Sequence, residues 1–412
     1  LRDYPHETRE DSSTYKKPDH EKSISVQRFT IDLKQMMPPL SLYVHMPWCV
    51  RKCPYCDFNS HQIPENWDEH TYIDALLRDF RSEYLLASGR PIASIFVGGG
   101  TPSLFSGEAY RILLEGIRQV APISCQAEIT LEANPGTVDA QHFIDYRAVG
   151  INRISIGVQS FSDKALKKIG RIHDAEDVTR AVACAKNAGF ENINLDLMFA
   201  LPEQTLEEAL YDVNSAIALA PTHISYYHLT IEPNTEFYSQ RPILPKDDMA
   251  FAMHQSGRAL LAESGYHQYE VSAYAKDGAR CAHNLNYWMF GDYIGIGAGA
   301  HGKLTSPQAK GVTRRTKLRT PKSYLQTPET VASIVSVDRR ELRFEFLMNA
   351  LRLCEGFDET LLKERILMSF DDLQPELDAC IEEGLIILSG ETLRCSARGF
   401  DFLDNVLVRF LE

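Results

Sequence analysis

The sequence predicts an α/β fold in which a partial, open barrel of six β-α units precedes a smaller helical domain. Between residues 42 and 228, short apolar strands bounded by turn residues alternate with helices of 3.6-residue periodicity. Beyond residue 336 the pattern changes to helices followed by a short hairpin, as in a winged-helix module. Repeated β-α units imply a parallel sheet, and six units fall short of the eight that close a full barrel.

Each barrel unit is assigned from its strand and the helix that follows it. The predicted strands are Leu42–Met46, Ala93–Val97, Ala127–Leu131, Arg153–Val158, Asn192–Leu197 and Thr222–His228. The predicted helices are Asp68–Ala87, Ser106–Val120, Asp139–Val149, Asp163–Lys168 with Ala175–Ala188, and Leu206–Leu219. Because the strands are parallel, polar residues at their carboxyl ends should meet at one rim.

The chain divides into four predicted parts. They are a polar, disordered tail (1–38), the barrel (39–235), a barrel extension (236–335) and the winged-helix-like domain (336–412). In the extension, the apolar glycine-rich stretch Tyr293–Ala300 predicts a buried strand near the site, and Pro321–Pro328 predicts a connection. The last domain should end in one helix, Ala397–Phe410, and its excess of acids favours a lid or docking role over DNA binding.

Composition and charge narrow the class of protein. The 412 residues include 43 basic and 56 acidic side chains, a net charge of −13, which argues against a general nucleic-acid binder. No apolar run reaches 18 residues, so neither a membrane span nor a secretory segment is expected. Nine cysteines, an odd number, favour a reducing, cytoplasmic location. The basic run Thr313–Arg319 is interpreted as a solvated loop, the alternative being a site for a partner or for propionate groups.

Cys49, Cys53 and Cys56 form a C-x3-C-x2-C motif directly after the first strand. Three thiolates at this spacing repel one another unless a metal compensates their charge. Structural zinc normally takes four protein ligands, and no fourth Cys or His follows at finger spacing. A [4Fe–4S] cluster with one iron left open fits better, while three free thiols or a zinc site with a distant fourth ligand stay as alternatives.

Further polar or glycine-rich positions follow the later strands. Gly98–Pro102, a Gly-Gly-Gly-Thr-Pro loop, follows the second strand, where missing Cβ atoms would let the backbone approach a ligand. Glu132, Gln159 and Asp196 lie at the ends of the next three strands, and Arg171 lies in a turn between them. A single polar residue after a strand usually just caps the next helix. Four around one rim suit a ligand with a carboxylate for Arg171 and an amine or hydroxyls for the acids.

These motifs, with Tyr43–Cys49 and Ile156–Phe161, resemble the radical S-adenosylmethionine superfamily, and within it the oxygen-independent coproporphyrinogen III oxidase family. The resemblance covers about Leu42 to Glu412. It implies a partial radical-SAM barrel and a [4Fe–4S] cluster whose open iron chelates S-adenosylmethionine for reductive cleavage to a radical. It also implies that Tyr43, Gly99, Gly100 and Thr101 contact this ligand, and that flavodoxin or ferredoxin supplies the electron.

Two segments then indicate a particular branch. Phe58 stands where the oxidase branch has a further cysteine, and Cys56–His61 is instead similar to the HemW branch, whose members are regarded as heme chaperones. That branch carries an H-N-x-x-Y-W motif, here His283–Trp288. The resemblance makes His283, and Cys281 just before it, candidate heme ligands, since imidazole and thiolate both bind heme iron. A hydrogen-bonded structural histidine is the alternative.

Three functions stay open from the sequence. The favoured one is a heme chaperone that binds heme, a [4Fe–4S] cluster and S-adenosylmethionine, and delivers heme to an unidentified acceptor protein. The second is an oxygen-independent coproporphyrinogen III oxidase, which converts two propionates to vinyl groups. The third is another radical enzyme, such as a methyltransferase, whose substrate nothing in the sequence identifies.

Overall fold

The computed structural model describes residues 37–306 and 311–411. The predicted tail over residues 1–38 therefore lies almost entirely outside the described residues. Within them, no helix combines the length and the hydropathy that a bilayer crossing requires.

Twelve strands of the described chain form one sheet. They are β1 (Leu40–Met46), β2 (Ile92–Gly99), β3 (Ile123–Ala133), β4 (Arg153–Gln159), β5 (Asn192–Phe199), β6 (His223–His228), β7 (His267–Glu270), β8 (Ala273–Ala275), β9 (Asp292–Ile296), β10 (His301–Ser306), β11 (Gly311–Lys317) and β12 (Val331–Val337). Their spatial order is β12-β11-β10-β9-β1-β2-β3-β4-β5-β6-β8-β7.

The six predicted parallel strands, and the helices predicted after the first five of them, are confirmed. Strands β1 to β6 are neighbours in sequence order, and every pair among them is parallel. Their helices are α1 (Glu69–Tyr84), α2 (Gly107–Val120), α3 (Ala140–Ala148), α4 (Asp163–Lys168), α5 (Ala175–Asn187) and α6 (Leu206–Ala218). Strand β1 is buried along almost its whole length, as expected of a parallel strand covered on both faces.

The barrel extension adds strands to the other side of β1. After α7 (Glu236–Gln240), α8 (Asp247–Glu263) and α9 (Ala282–Trp288), strand β9 pairs parallel with β1. Strands β10, β11 and β12 then continue the sheet in antiparallel order. The glycine-rich stretch is thus a strand, as predicted, followed by a turn.

The basic run Thr313–Arg319 was wrongly interpreted as a solvated loop. Thr313–Lys317 belong to β11, and Lys317 is only 2% exposed. Burial is possible because carboxylates of α1 neutralise its charge, with Lys317 Nζ 3.0 Å from Glu83 Oε1. The connection predicted after it, Pro321–Pro328, contains a short helix, α10 (Pro321–Gln326).

The C-terminal region forms a core of its own around a small sheet. Its helices are α11 (Arg339–Ala350), α12 (Glu359–Ile366), α13 (Glu376–Glu382), α14 (Ala397–Asp401) and α15 (Leu403–Val408). The predicted wing is present as Ile386–Ser389 paired with Thr392–Cys395, and Phe357–Asp358 completes three strands. The predicted single final helix is wrong, because the chain leaves helical geometry at Phe402. Phe290 and Val312 of the barrel extension join this core.

Candidate functional site

The cysteine motif lies on a loop beyond the carboxyl end of β1. Cys49 ends a two-residue strand, Trp48–Cys49, which pairs with His61–Gln62 where the loop returns. Between them the amide of Cys56 donates to the carbonyl of Cys53 at 3.1 Å. The two ends of the loop are therefore held side by side, and the loop carries all three cysteines.

The glycine-rich loop packs directly on the cysteine loop. The Gly100 amide donates to the Met46 carbonyl at 2.6 Å, and the Thr101 amide donates to the Trp48 carbonyl at 2.7 Å. Gly99 has a φ of +114°, and a Cβ there would lie 2.5 Å from Cε1 of His45. Gly99 is thus needed because His45 of β1 occupies the space of a side chain there, and Gly100 because the backbone from Met46 to Trp48 does so.

A cavity of about 360 Å³ lies at this rim. The predicted residues that line it are Cys49, Cys53, Cys56, Gly99, Gly100, Thr101, Glu132, Gln159, Arg171 and Asp196. Tyr43 does not line it; its hydroxyl donates to Nδ1 of His45 at 3.0 Å beside a neighbouring cavity. Ten of the eleven residues predicted for the cluster and its ligand therefore surround one space.

The placement of the three cysteines suits a multi-iron cluster. Their thiols share the wall of one cavity, as they would around a cube whose irons are each bound by a different thiolate. Burial raises the pKa of Cys49 and of Cys56, so loss of their protons awaits a positive metal centre.

Arg171 is a buried positive charge in the wall of this cavity. Its Nη2 donates to the Gly157 carbonyl at 2.7 Å, and its Nη1 lies 3.8 Å from Sγ of Cys53. Within the described part of the chain its buried Nε has no hydrogen-bond partner. An unpaired, buried guanidinium N–H beside the cysteines is suited to an anionic ligand group.

The carboxyls of Glu132 and Asp196 line the same cavity. Burial raises the pKa of Glu132 to about 8, with a smaller contribution from Asp196, although the Gly99 amide donates to Glu132 at 3.1 Å. Burial also raises the pKa of Asp196, which accepts from Ser155 at 3.1 Å and from Asn194 at 2.8 Å. Both carboxyls are therefore ready to accept a cationic or hydroxyl donor that restores their charge.

A second, larger cavity of about 970 Å³ adjoins the first. The residues common to both linings are Asp57, Phe58, Gly99 and Glu132. Its floor is one face of four adjacent strands, as alternation along each strand requires. The floor residues are Tyr43 and His45 of β1, Tyr293 of β9, His301 and Lys303 of β10, and Arg314 and Thr316 of β11. Helices α9 and α11 contribute Tyr287, Trp288, Met348 and Asn349.

His283 does not offer its imidazole to either cavity, contrary to the expectation of a heme ligand. Its Nδ1 bonds Oγ of Ser94 at 3.0 Å and its Nε2 bonds the hydroxyl of Tyr287 at 3.0 Å. The ring is buried against Phe96, and burial lowers its pKa to about 3. The hydrogen-bonded, structural interpretation therefore describes His283, which positions Tyr287 at the larger cavity.

Cys281 is likewise turned away from both cavities. It is fully buried, and its thiol donates to Glu128 Oε1 at 3.3 Å. Burial raises its pKa to about 12, so a heme-binding thiolate is unavailable in this arrangement.

Sequence reasoning missed the roles of Asn59 and His301 in the larger cavity, and it gave Arg319 only as the end of the basic run whose alternative was a site for propionate groups. Asn59 lies three residues after the last cysteine, and its Nδ2 donates to the carbonyls of Ala298 and Arg319, both at 2.8 Å. His301 directly follows the glycine-rich stretch, so its position beside a recognised motif was its only signal.

Known proteins resemble the chain along its length. A model of the Radical SAM superfamily matches residues 43–215, and one of the HemN C-terminal domain matches residues 337–402. Heme chaperone HemW of Escherichia coli (strain K12) is 48% identical over 375 residues, 91% of this chain and 99% of that protein. Heme chaperone HemW of Haemophilus influenzae is 47% identical over 379 residues, 91% and 98% of the two chains.

A solved structure shares the fold. Coproporphyrinogen III oxidase (HemN) from Escherichia coli, titled a radical SAM enzyme, aligns with a TM-score of 0.78 over 92% of both chains at 23% identity. The relatives at 48% and 47% identity match over almost their full length, so they assign the chain to a narrower family than the shared fold does. The chain therefore belongs to the radical SAM superfamily, whose name implies a [4Fe–4S] cluster and S-adenosylmethionine, and within it to the HemW family.

Proposed function

We propose that this protein is a heme chaperone that binds heme, a [4Fe–4S] cluster and S-adenosylmethionine, and delivers heme to an acceptor protein. The observation that carries the proposal is the cavity of about 970 Å³ beside the cysteine-lined one. Its size is at the upper end of small-molecule sites, and its aromatic and basic lining suits a large flat ligand with acidic groups. The name of the relatives that match at full length agrees with this chemistry.

The smaller cavity would hold the iron–sulfur cofactor. Cys49, Cys53 and Cys56 supply three thiolates, and the cluster with its bound S-adenosylmethionine supplies radical chemistry. Arg171 binds the carboxylate of the ligand through its free N–H. Glu132 accepts from a cationic or hydroxyl group of the ligand.

The other contacts to S-adenosylmethionine are inferred from where the remaining side chains lie in the cavity wall. Gln159, whose Oε1 accepts from the Tyr227 hydroxyl at 2.8 Å, offers its amide N–H groups to the cavity. Asp196 accepts from hydroxyls, and Gly99–Thr101 shape the wall. Tyr43 would reach the same ligand only from the larger cavity.

A heme titration tests the proposal directly. The full chain with reconstituted cluster is titrated anaerobically with hemin, and the Soret band reports binding. We expect saturation at one heme per chain with an affinity in the micromolar range or tighter. Binding that is weak and does not saturate would refute the chaperone function.

Coproporphyrinogen III oxidase activity is the second candidate. Its support is the fold shared with HemN and the contact between the two cavities. Phe58 argues against it, because a phenyl ring lies where the oxidase branch has a cysteine, and this ring is 58% exposed at the boundary of both cavities. An anaerobic assay with reductant, S-adenosylmethionine and coproporphyrinogen decides, since sustained formation of protoporphyrinogen would establish the enzyme.

The proposal also covers the subcellular location of the protein and the proteins it interacts with. We place the protein in the cytoplasm, because nine free cysteines and an iron–sulfur site require a reducing compartment. An electron donor such as flavodoxin or ferredoxin would reduce the cluster, and a heme-binding protein would be the acceptor. The net charge of −13 argues against a nucleic-acid partner. Spin-labelled or crosslinked complexes with a reduced flavodoxin would identify the donor surface.

A further inference from the structure

Resting on the heme-chaperone function above, we propose that Nε2 of His301 binds the iron of heme in the larger cavity and that Arg319 binds a propionate. Both side chains line this cavity. His283, the histidine of the H-N-x-x-Y-W motif, then positions an aromatic wall and does not bind iron.

His301 has a ring nitrogen available for a metal. It begins β10 on the cavity face, opposite Thr316 of β11, and its side chain is exposed. Its Nδ1 lies 3.3 Å from Oγ1 of Thr316. Within the described residues Nε2 has no hydrogen-bond partner, so a proton on Nδ1 leaves the Nε2 lone pair for iron.

The other imidazole and the tyrosine hydroxyls of the lining are already engaged. His45, the second histidine there, bonds the Tyr43 hydroxyl through Nδ1 and the Asn59 carbonyl through Nε2 at 2.9 Å. The hydroxyls of Tyr287 and Tyr293 bond His283 and Arg314, at 3.0 and 2.7 Å. His301 is thus the strong iron ligand that the described lining leaves free.

Arg319 is the matching free cation. Lys303 forms an ion pair with Asp292 at 3.1 Å, and Arg314 forms one with Glu345. Arg319 is exposed, and in the described chain it has one long bond, from Nε to Oδ1 of Asn59 at 3.4 Å. Its other guanidinium N–H groups can therefore form the paired hydrogen bonds that a propionate accepts.

The faces of the macrocycle have apolar partners nearby. Tyr287 and Tyr293 are in edge contact, with ring centroids 4.5 Å apart, and Trp288 lies beside them in the same lining. Binding forms one iron–nitrogen bond and displaces water from the iron, with no change of oxidation state. The ligand class is therefore an iron porphyrin with propionates, distinct from an iron-free porphyrinogen.

The test compares hemin with iron-free protoporphyrin IX on the reconstituted full chain. His301→Ala should lower hemin affinity about tenfold and shift the Soret band, whereas protoporphyrin affinity should change less than about twofold. Arg319→Ala should lower the affinity for both ligands by about three- to tenfold. The matched control is His267→Ala, which removes an exposed histidine of β7 outside both linings.

Adding free imidazole distinguishes loss of the iron ligand from loss of the fold in the variant. In His301→Ala it should restore the wild-type Soret band, which it would not do for a variant that had merely lost its fold. An unchanged Soret band and hemin affinity in His301→Ala would overturn the assignment while wild-type binding still upheld the chaperone function. Loss of saturable hemin binding in the wild type would instead refute that function itself.

Discussion

Replacing Lys317 with methionine should destabilise the protein strongly at alkaline pH and much less at acid pH. Lys317 Nζ lies 2.6 Å from Asp79 Oδ1 and 3.0 Å from Glu83 Oε1, all three side chains being almost fully buried. Glu83 keeps a second partner, Arg315, at 2.7 Å, so the loss falls chiefly on Asp79. Removing one partner of a buried ion pair costs about 3–5 kcal/mol, because the remaining charge stays desolvated.

The pH dependence follows from Asp79. Burial raises its pKa from 3.8 to about 6, although Lys317 and hydrogen bonds from Gly297 and Tyr324 lower it. The native state therefore binds this proton more tightly than the unfolded state, and stability falls as pH rises from about 4 to 6. Without Lys317 the pKa of Asp79 rises further, which extends the fall to higher pH. Below pH 6 the carboxyl is mostly neutral in both proteins, so the substitution should cost only about 1 kcal/mol.

Urea unfolding followed by circular dichroism at pH 8 and pH 5 measures both costs. The control is Arg78→Met, because Arg78 pairs with Glu329 at an exposed position, where solvent screens the pair, and its loss should change stability little at either pH. An equal loss at both pH values, or a loss below about 1 kcal/mol at pH 8, would refute the argument. Since β11 also carries Arg314 and Thr316, Lys317→Met should weaken hemin binding at pH 8.

Four further outcomes are expected. Cys53→Ser should abolish cluster incorporation, measured as iron content and visible absorbance, whereas Cys125→Ser, an exposed cysteine outside the cavity, should not. Gly99→Ala should prevent cluster loading by displacing His45, while Gly89→Ala, also at positive φ but with nothing within 4 Å, should cost only about 1 kcal/mol of stability by thermal unfolding. The affinity for S-adenosylmethionine, measured by calorimetry, should rise as pH increases from 6 to 8. The reason is that Glu132, with a pKa of about 8, must lose its proton before it can accept a cation. Glu132→Gln should therefore make the affinity nearly independent of pH over this range. Asn59→Ala should lower hemin affinity by releasing Ala298 and Arg319, and an unaltered affinity, equal to that of the surface control Asn214→Ala, would contradict the role given to Asn59.

The barrel and its cofactor rim were predictable because local patterns determine them. Each β-α unit carries its own periodicity, and parallel strands bring their carboxyl ends to one edge. Residues as distant as Cys49, Glu132 and Asp196 could therefore be placed at one rim from their positions after strands, and they line one cavity. Tyr43, which only the family resemblance made a ligand contact, instead lines the neighbouring cavity, into which alternation along β1 directs it.

The burial of the basic run beside the larger cavity was not predictable, because it depends on long-range charge pairing. Nothing local in Thr313–Arg319 indicates that α1 will supply buried carboxylates, so a run of cations reads as exposed although Lys317 is buried. The H-N-x-x-Y-W motif misled in a related way. The branch resemblance made His283 a candidate heme ligand, yet the hydroxyls of Ser94 and Tyr287 occupy both of its ring nitrogens.

The segment after the third cysteine links the walls of the two cavities through hydrogen bonds and side-chain packing. Asn59 holds the β9–β10 turn and the end of the basic run through Ala298 and Arg319, while its own carbonyl accepts from His45. His45 in turn fills the space above Gly99, which lines both cavities. A change in the cysteine loop on cluster loading would therefore move Arg319 and the turn that precedes His301. Heme retention should consequently depend on the cluster, which gives a chaperone a use for radical SAM machinery even where it performs no catalysis.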